Sequence, residues 1–540
     1  MKARGTSRLN REIDLLTGLA ACASVISFLF YYRHGDVLLY GDAVAHINIA
    51  RRLFDSRTPG LLQLGTVWLP LPHLLMAPFL LSKQMWVSGW GGSIPSMLAY
   101  VAGVVGIFRL VRELLTFNGH LNVADRAAAW GAAIAYGANP NLLYMQSTAM
   151  TESLYLAFFI WAVVYFSEFA QGKFNAAIKC GLCLIGASLT RYDGWFLSAA
   201  MVAAAIAMTL WSGERRPLRR PLVKMVLLAI SAPALWLAYN TASYGNPLEF
   251  ATGPYSARGI AKSSAVGDPV TYTLWSGTRY FLKSAELNVA DAESLERLWL
   301  ALAILGVVTI AGVDKRSWPA LLLAVPLPFY ALSMNGGSVP IFIPTWWPFS
   351  YYNVRYGLEL LPALVVLGAV GVAFLLRLSE SALGPIAGTK LRWYTAAIAL
   401  AAFALVPGSY IGVWRRQPIC YREAAINTRS KQILEAEIAG ELKPLPADAT
   451  LLMYLGEHPG AVEDAGIPMR HVINEGNRRV WPHALADPPA FADYVIAFDG
   501  DPVWKAIQGR RLTQLAEVQV PRQPRGVIYC TRPRTTGTCW

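Results

Sequence analysis

The chain has 540 residues, of which 55% are hydrophobic and only 15% charged, with a formal net charge of +13 and a mean hydropathy of +0.38. This composition excludes a disordered chain, collagen and a coiled coil, and it leaves too little charge to coat three or four soluble domains. Lys and Arg sit between apolar runs and are not interleaved with stacking aromatics, so the basic excess reads as membrane topology and not as a nucleic-acid surface.

A membrane span needs about 20 apolar residues. Eleven stretches meet that need, starting near Leu15, Ser93, Ala127, Glu152, Ala176, Trp195, Leu222, Leu298, Trp318, Val354 and Tyr394. Lys2, Arg4, Arg8 and Arg11 precede the first. Arg215, Arg216, Arg219, Arg220 and Lys224 precede the seventh, against the single acid Glu214, and smaller basic turns occur at Lys315-Arg316 and over 377–392. The positive-inside rule puts all of these in the cytoplasm if the N-terminus is cytoplasmic and the chain crosses eleven times. The sequence Leu19-Ala20-Ala21-Cys22 looks like a lipoprotein cleavage box, but the apolar run before it is short and continues to Phe30, so it reads as an uncleaved signal-anchor. The expected fold is an all-α polytopic membrane domain over 1–414, with outer loops 31–92 and 244–297, followed by a small extracytoplasmic α/β domain over 415–540. The expected location is a bacterial inner membrane, with the tail in the periplasm.

In the tail, 450–455, 493–498 and 526–530 read as strands and 424–442 as a helix. Its His458, His471 and His483 are too scattered to suggest a metal site. Cys22, Cys180 and Cys183 lie in apolar runs and read as packing residues. An oxidising compartment permits one disulfide among Cys420, Cys530 and Cys539, and the spacing leaves the pair open.

Chemistry-bearing residues gather on the outer face. Tyr40-Gly41-Asp42 follows the first span, and 43–54 has helical periodicity with an apolar stripe at Ile47, Ala50, Leu53 and Phe54. This predicts an amphipathic helix at the membrane surface, with Asp42 as its N-cap and His46 one turn on along the same side. The prolines of Trp68-Leu69-Pro70-Leu71-Pro72-His73 prevent a straight helix there and predict an interfacial segment. Glu152 opens the fourth span, Arg191-Tyr192-Asp193 forms an outer turn, and Arg355 and Glu359 enter the tenth span from the same face. Charges at membrane depth are costly and are usually paired or functional. Arg355 with Glu359 reads either as an intrahelical ion pair or, with Glu152, Arg191 and Asp193, as part of a site for an anionic headgroup.

The same residues carry a family resemblance over 15–376. The chain resembles the GT-C superfamily of membrane glycosyltransferases, in particular its protein O-mannosyltransferase and aminoarabinose-transferase branch. The resemblance rests on Tyr40-Gly41-Asp42 with Ile49-Ala50-Arg51-Arg52-Leu53, on Leu69-Pro70-Leu71-Pro72-His73-Leu74-Leu75, on Met150-Thr151-Glu152-Ser153-Leu154, and on Arg355-Tyr356 followed by Leu361-Pro362. Where many relatives have two adjacent acids, this chain has Asp42-Ala43.

The resemblance implies an inverting transfer of a hexose or pentose from a polyprenyl-phosphate donor to an extracytoplasmic acceptor: a protein hydroxyl, a glycan or a glycolipid. In that reading Asp42 is the general base. Glu152 assists it, either by orienting the acceptor or by holding a divalent cation such as magnesium or manganese. Arg355 binds the lipid phosphate, because a planar guanidinium matches a phosphate. Arg258 or Lys262, in a Gly- and Pro-containing outer loop, closes over the donor. His46, Arg191, Asp193, Tyr356 and Glu359 are the secondary candidates. Membrane lipids and the donor are the expected partners, with no nucleic acid. The alternative from another class is a lipid-linked sugar flippase or transporter, which would be expected to show internal repeats and a midplane site; no clear repeat is present.

Overall fold

The computed structural model describes residues 2–116, 121–211, 215–253, 256, 270–382 and 388–531. Arg258 and Lys262 lie outside the described residues. The chain divides into two compact units: 1–34, 96–147 and 151–423 in the first, and 35–95, 148–150 and 424–540 in the second.

The first unit is helical. All eleven predicted stretches form helix, and among the described residues eight helices are long and apolar enough to cross a membrane: Leu9–Arg33, Trp90–Leu115, Glu152–Ala170, Asp193–Trp211, Arg219–Tyr244, Glu293–Gly312, Lys315–Asn335 and Val354–Arg377. The chain is an integral membrane protein. The stretch expected from Ala127 is shorter than predicted. Val123–Gly137 opens on a capping box between Asn122 and Asp125 and stops where Asn139 caps a second helix, Pro140–Gln146, because a residue before proline is pushed out of helical backbone. Ala176–Thr190 is also short, at 15 residues.

Two glycines set how closely these helices meet. A β-carbon on Gly306 would fall 2.0 Å from the Leu367 carbonyl oxygen, so the backbone of the Glu293–Gly312 helix can touch that of the Leu361–Ala382 helix there because the residue is glycine. A β-carbon on Gly357 would fall 2.4 Å from the Ser284 carbonyl carbon, which lets the 3-10 segment Val354–Leu360 lie against the helix Leu274–Val289. A buried asparagine secures that segment. The Asn288 side-chain amide donates to the Val354 carbonyl (2.8 Å), and the Asn288 backbone carbonyl receives the side-chain amides of Asn139 (2.9 Å) and Asn141 (3.0 Å). Cys420 donates its thiol to the Asn288 side chain (3.2 Å) and its amide to Asn141 (2.9 Å). Cys420 is therefore a buried thiol outside any disulfide, and it is Cys530 that is disulfide-bonded.

The second unit is built on a five-stranded sheet. Its strands are β1 (Leu451–Met453), β2 (Val472–Ile473), β3 (Tyr494–Phe498), β4 (Thr513–Val518) and β5 (Gly526–Cys530), in the order β2-β1-β3-β5-β4. β1 runs parallel to β2 and β3, and β5 runs antiparallel to β3 and β4. β3 is buried along its whole length, as expected of a strand covered on both faces, and Leu452, Ile473, Val495, Ala497 and Val503 form the core. The predicted strands and tail helix are present, the helix starting five residues early as Ile419–Leu442.

The first outer segment belongs to this unit. Asn48 donates to Glu463 (2.7 Å), Arg470 pairs with Asp55 (3.1 Å), Asn477 donates to Ser56 (3.2 Å), and Gln432 donates to the Leu38 carbonyl (2.9 Å). The helix expected to float at the membrane surface, Gly41–Arg52, is instead buried on most sides, Asn48 and Arg51 included.

Candidate active site

Helix termini and breaks in the first unit bring together a set of charges that are far apart in sequence. Glu152 lies in the first turn of the helix Glu152–Ala170 and is 1% exposed. Arg191 occupies the two-residue break between the helices Ala176–Thr190 and Asp193–Trp211, where its extended backbone (φ −147°, ψ 152°) ends the first helix. Arg355, Tyr356 and Glu359 come from Val354–Leu360, and Glu423 from the first turns of Ile419–Leu442.

Arg191 is held on three edges. It reaches Asp193 (3.0 Å), Glu152 (3.2 Å) and Glu359 (3.1 Å), and donates to the Tyr330 hydroxyl (3.1 Å). Tyr330 in turn donates to Glu359 (2.6 Å). Arg355 shares the same Glu152 oxygen (3.2 Å) and pairs with Glu423 (2.8 Å), which also receives the Arg355 backbone N–H (3.2 Å). The Tyr356 ring lies within cation–π range of both guanidiniums, 4.7 Å from Arg191 and 5.1 Å from Arg355. Burial pushes the Glu423 carboxyl above its ordinary range, and Arg355 opposes that shift.

Two guanidiniums therefore meet four carboxylates: Glu152, Asp193, Glu359 and Glu423. The Oε2 atoms of Glu152 and Glu359 are buried without a hydrogen-bond partner among the described residues. A carboxylate oxygen left dry and unmatched costs about 1–3 kcal/mol or more, so the network is incomplete as it stands and can accept hydrogen bonds or face positive charge. Among the described residues, no group of three or more His, Cys, Asp or Glu side chains is arranged to hold a metal ion.

The second unit holds Asp42 and His46. Tyr40, not Asp42, is the N-cap of Gly41–Arg52, and its side chain makes no capping hydrogen bond among the described residues. The correction has a backbone cause, since Tyr40 is the last extended residue (φ −70°, ψ 126°). Asp42 falls inside the first turn, where a carboxylate is favoured by the helix dipole but is not consumed as a cap. His46 is buried, its Nδ1 2.9 Å from the His73 Nε2 and its ring 4.9 Å from Trp68. Burial, then the charges of His46 and Arg52, hold His73 well below the usual histidine range.

Glu152, Arg191, Asp193, Arg355, Tyr356 and Glu359 thus share one network. Sequence reasoning missed Tyr330, which sits unmarked inside an apolar run, and Glu423. For Glu423 there was a signal: an acid within a few residues of Pro418, directly after the last span.

No protein-family model and no curated protein sequence matches the chain. Solved structures do match in fold. ArnT from Cupriavidus metallidurans bound to undecaprenyl phosphate matches at a TM-score of 0.58 and 13% identity, covering 97% of this chain and 98% of that one, and its apo state matches at 0.57. The archaeal oligosaccharyltransferase AglB from Archaeoglobus fulgidus, in complex with an inhibitory peptide and a dolichol-phosphate, matches at 0.51 and 12% identity, over 96% of this chain and 74% of that one.

Proposed function

We propose, starting from the GT-C fold that this chain has, that it is an inverting glycosyltransferase moving a sugar from a polyprenyl-phosphate donor to an acceptor outside a bacterial inner membrane. The observation that carries the reading is the buried Arg355 and the mostly buried Arg191 sharing one Glu152 oxygen, with two carboxylate oxygens beside them unmatched among the described residues. Neighbours in fold were crystallised or solved with undecaprenyl phosphate and dolichol-phosphate, which supports a lipid phosphate as part of the substrate.

The chemistry needs three things of the chain. As the bond from the anomeric carbon to the phosphate oxygen breaks, negative charge grows on the departing lipid phosphate, and Arg355 with Arg191 neutralises it. The anomeric carbon becomes cation-like, and the unmatched oxygens of Glu152 and Glu359 favour that charge and receive sugar hydroxyls. The acceptor oxygen or nitrogen attacks the face opposite the phosphate, and its proton passes to the Asp42 carboxylate. One displacement of this kind inverts the anomeric centre.

The test is purified protein in liposomes supplied with radiolabelled undecaprenyl-phosphate hexoses and pentoses. A transferase releases free undecaprenyl phosphate. Movement of intact donor between leaflets without release would make the chain a flippase, and neither outcome would make it a binding protein; both contradict the proposal.

A further inference from the structure

A polar cleft lies beside the arginine network. Its volume is about 450 Å³, within the ~300–1,000 Å³ range of small-molecule sites. It opens between the end of the helix Leu274–Val289, the start of the Glu293–Gly312 span, the loop before Val354 and the turn after the last span. Two consecutive residues join it to the network: Arg422 lines the cleft, and Glu423 binds Arg355.

The lining has three parts. Trp346 and Tyr351 present aromatic surface, Trp346 with Arg279 5.1 Å over its ring and Tyr351 with Arg422 at 5.7 Å. Asp291, Glu293 and Glu296 supply carboxylates, and Lys283, Arg416 and Arg422 supply cations. Most of these charges are already matched: Arg416 pairs with Asp291 (3.0 Å), Glu293 with Arg297 (2.5 Å), and Lys283 with both Glu296 and Glu286. The Nε of Arg422, in contrast, is buried with no hydrogen-bond partner among the described residues, although its Nη1 donates to the Tyr351 hydroxyl (3.3 Å).

Three acids against three bases leave the cleft with no formal charge, so neither an anion nor a cation gains by entering. A ligand rich in hydroxyls gains most. Its oxygens can take the Arg422 Nε–H and the outer edges of the cations, its hydroxyl hydrogens can go to the carboxylates, and the C–H face of a ring can lie on an indole or phenol. We infer that this cleft is a carbohydrate subsite that takes one neutral sugar ring within reach of the Arg355–Glu423 pair. The inference deepens the transferase reading and rests on it for the source of the sugar, which is either the donor's own residue or the acceptor's.

The experiment is saturation-transfer-difference NMR on the full-length protein in nanodiscs, with D-glucose, D-mannose, D-galactose and L-arabinose as probes. Wild type is expected to transfer saturation to at least one of them. Trp346→Phe, Trp346→Ala and Glu293→Gln are expected to cut that signal at least fivefold, while retention of undecaprenyl phosphate stays at the wild-type level. Glu293→Gln lies on the exposed rim and changes one atom, so its fold is safe even if the tryptophan variants are unstable. Loss of the sugar signal on adding undecaprenyl-phosphate-linked sugar identifies the donor's ring, and persistence identifies the acceptor's. No signal from any sugar, or a signal indifferent to all three variants, overturns the subsite. If undecaprenyl phosphate still binds in that case, the transferase reading stands without it.

Discussion

The two ends of the helical unit treat charge in opposite ways. At the end rich in basic loops, Glu12 is gripped by Arg112 (2.6 Å) and Arg126, Asp125 by Arg377 (2.7 Å), Glu168 by Arg109 (2.5 Å), and Glu113 by Lys173 (3.0 Å). Bases outnumber acids there, and among the described residues none of these four acids has an oxygen that is both buried and unmatched. At the other end four acids surround two arginines, and two carboxylate oxygens have nothing to accept from among the described residues. Ion pairs of the first kind tie helices together. An imbalance of the second kind is costly inside a protein and is tolerated where a substrate completes it. Buried ion pairs occur at both ends; what separates the two is the unmet hydrogen-bonding capacity of Glu152 and Glu359 among the described residues.

Substitutions sharpen that contrast. Asp42→Asn should have the largest effect: removing a general base typically costs about 10²–10⁴-fold in rate, measured as release of undecaprenyl phosphate, with membrane insertion unchanged. Near-normal turnover would take Asp42 out of the mechanism. Arg355→Ala should lower kcat/KM by about 10²–10³-fold, and Arg355→Lys by less, because lysine keeps the charge but cannot bridge Glu152 and Glu423 together; equal losses would mean the fork does not matter. Glu12→Gln, at the structural end, should leave turnover per folded molecule unchanged while lowering stability by about 1.5–3 kcal/mol, read from thermal unfolding in detergent. A change in kcat/KM there would break the distinction between the two ends.

The smallest effect is expected in the second unit. Burial lifts the Glu435 carboxyl to about 7, with Lys431 and the Gly460 N–H opposing. The folded chain thus holds a proton that the unfolded chain releases near the ordinary carboxylate value. This contribution to stability is complete below about pH 4.5 and is lost as the pH rises through about 7. Glu435→Gln should flatten that decline, by a few °C in Tm at pH 8 relative to pH 5; an unchanged slope would show that Glu435 is ionised throughout.

Much of the helical unit was legible because long apolar stretches leave the chain few alternatives. The charges at span edges were legible as a group for the same reason: Glu152, Arg191, Arg355 and Glu359 are expensive at that depth unless they meet. Their pairing was not legible. Arg355 and Glu359 are four apart, yet Glu359 goes to Arg191 and Arg355 goes to Glu152 and Glu423, because Gly357 and Asn288 fix how the segment between them is seated. Asp42 reads as a cap because aspartate commonly is one; only the backbone shows that the helix begins at Gly41. In the tail, the apolar runs of β1, β3 and β5 were visible. β2 has two residues and β4 carries exposed and half-exposed side chains, so neither shows a pattern. The joining of 35–95 to the tail sheet rests on Asn48, Asp55 and Ser56 meeting residues more than 400 positions away, and periodicity carries no signal for such contacts.

The most direct measurement is native mass spectrometry of the detergent-released protein with undecaprenyl phosphate added. Wild type should retain one lipid, and Arg355→Ala should retain it at least tenfold more weakly, with Arg355→Lys between them. Equal retention by all three proteins would contradict the assignment of the arginine network to the lipid phosphate.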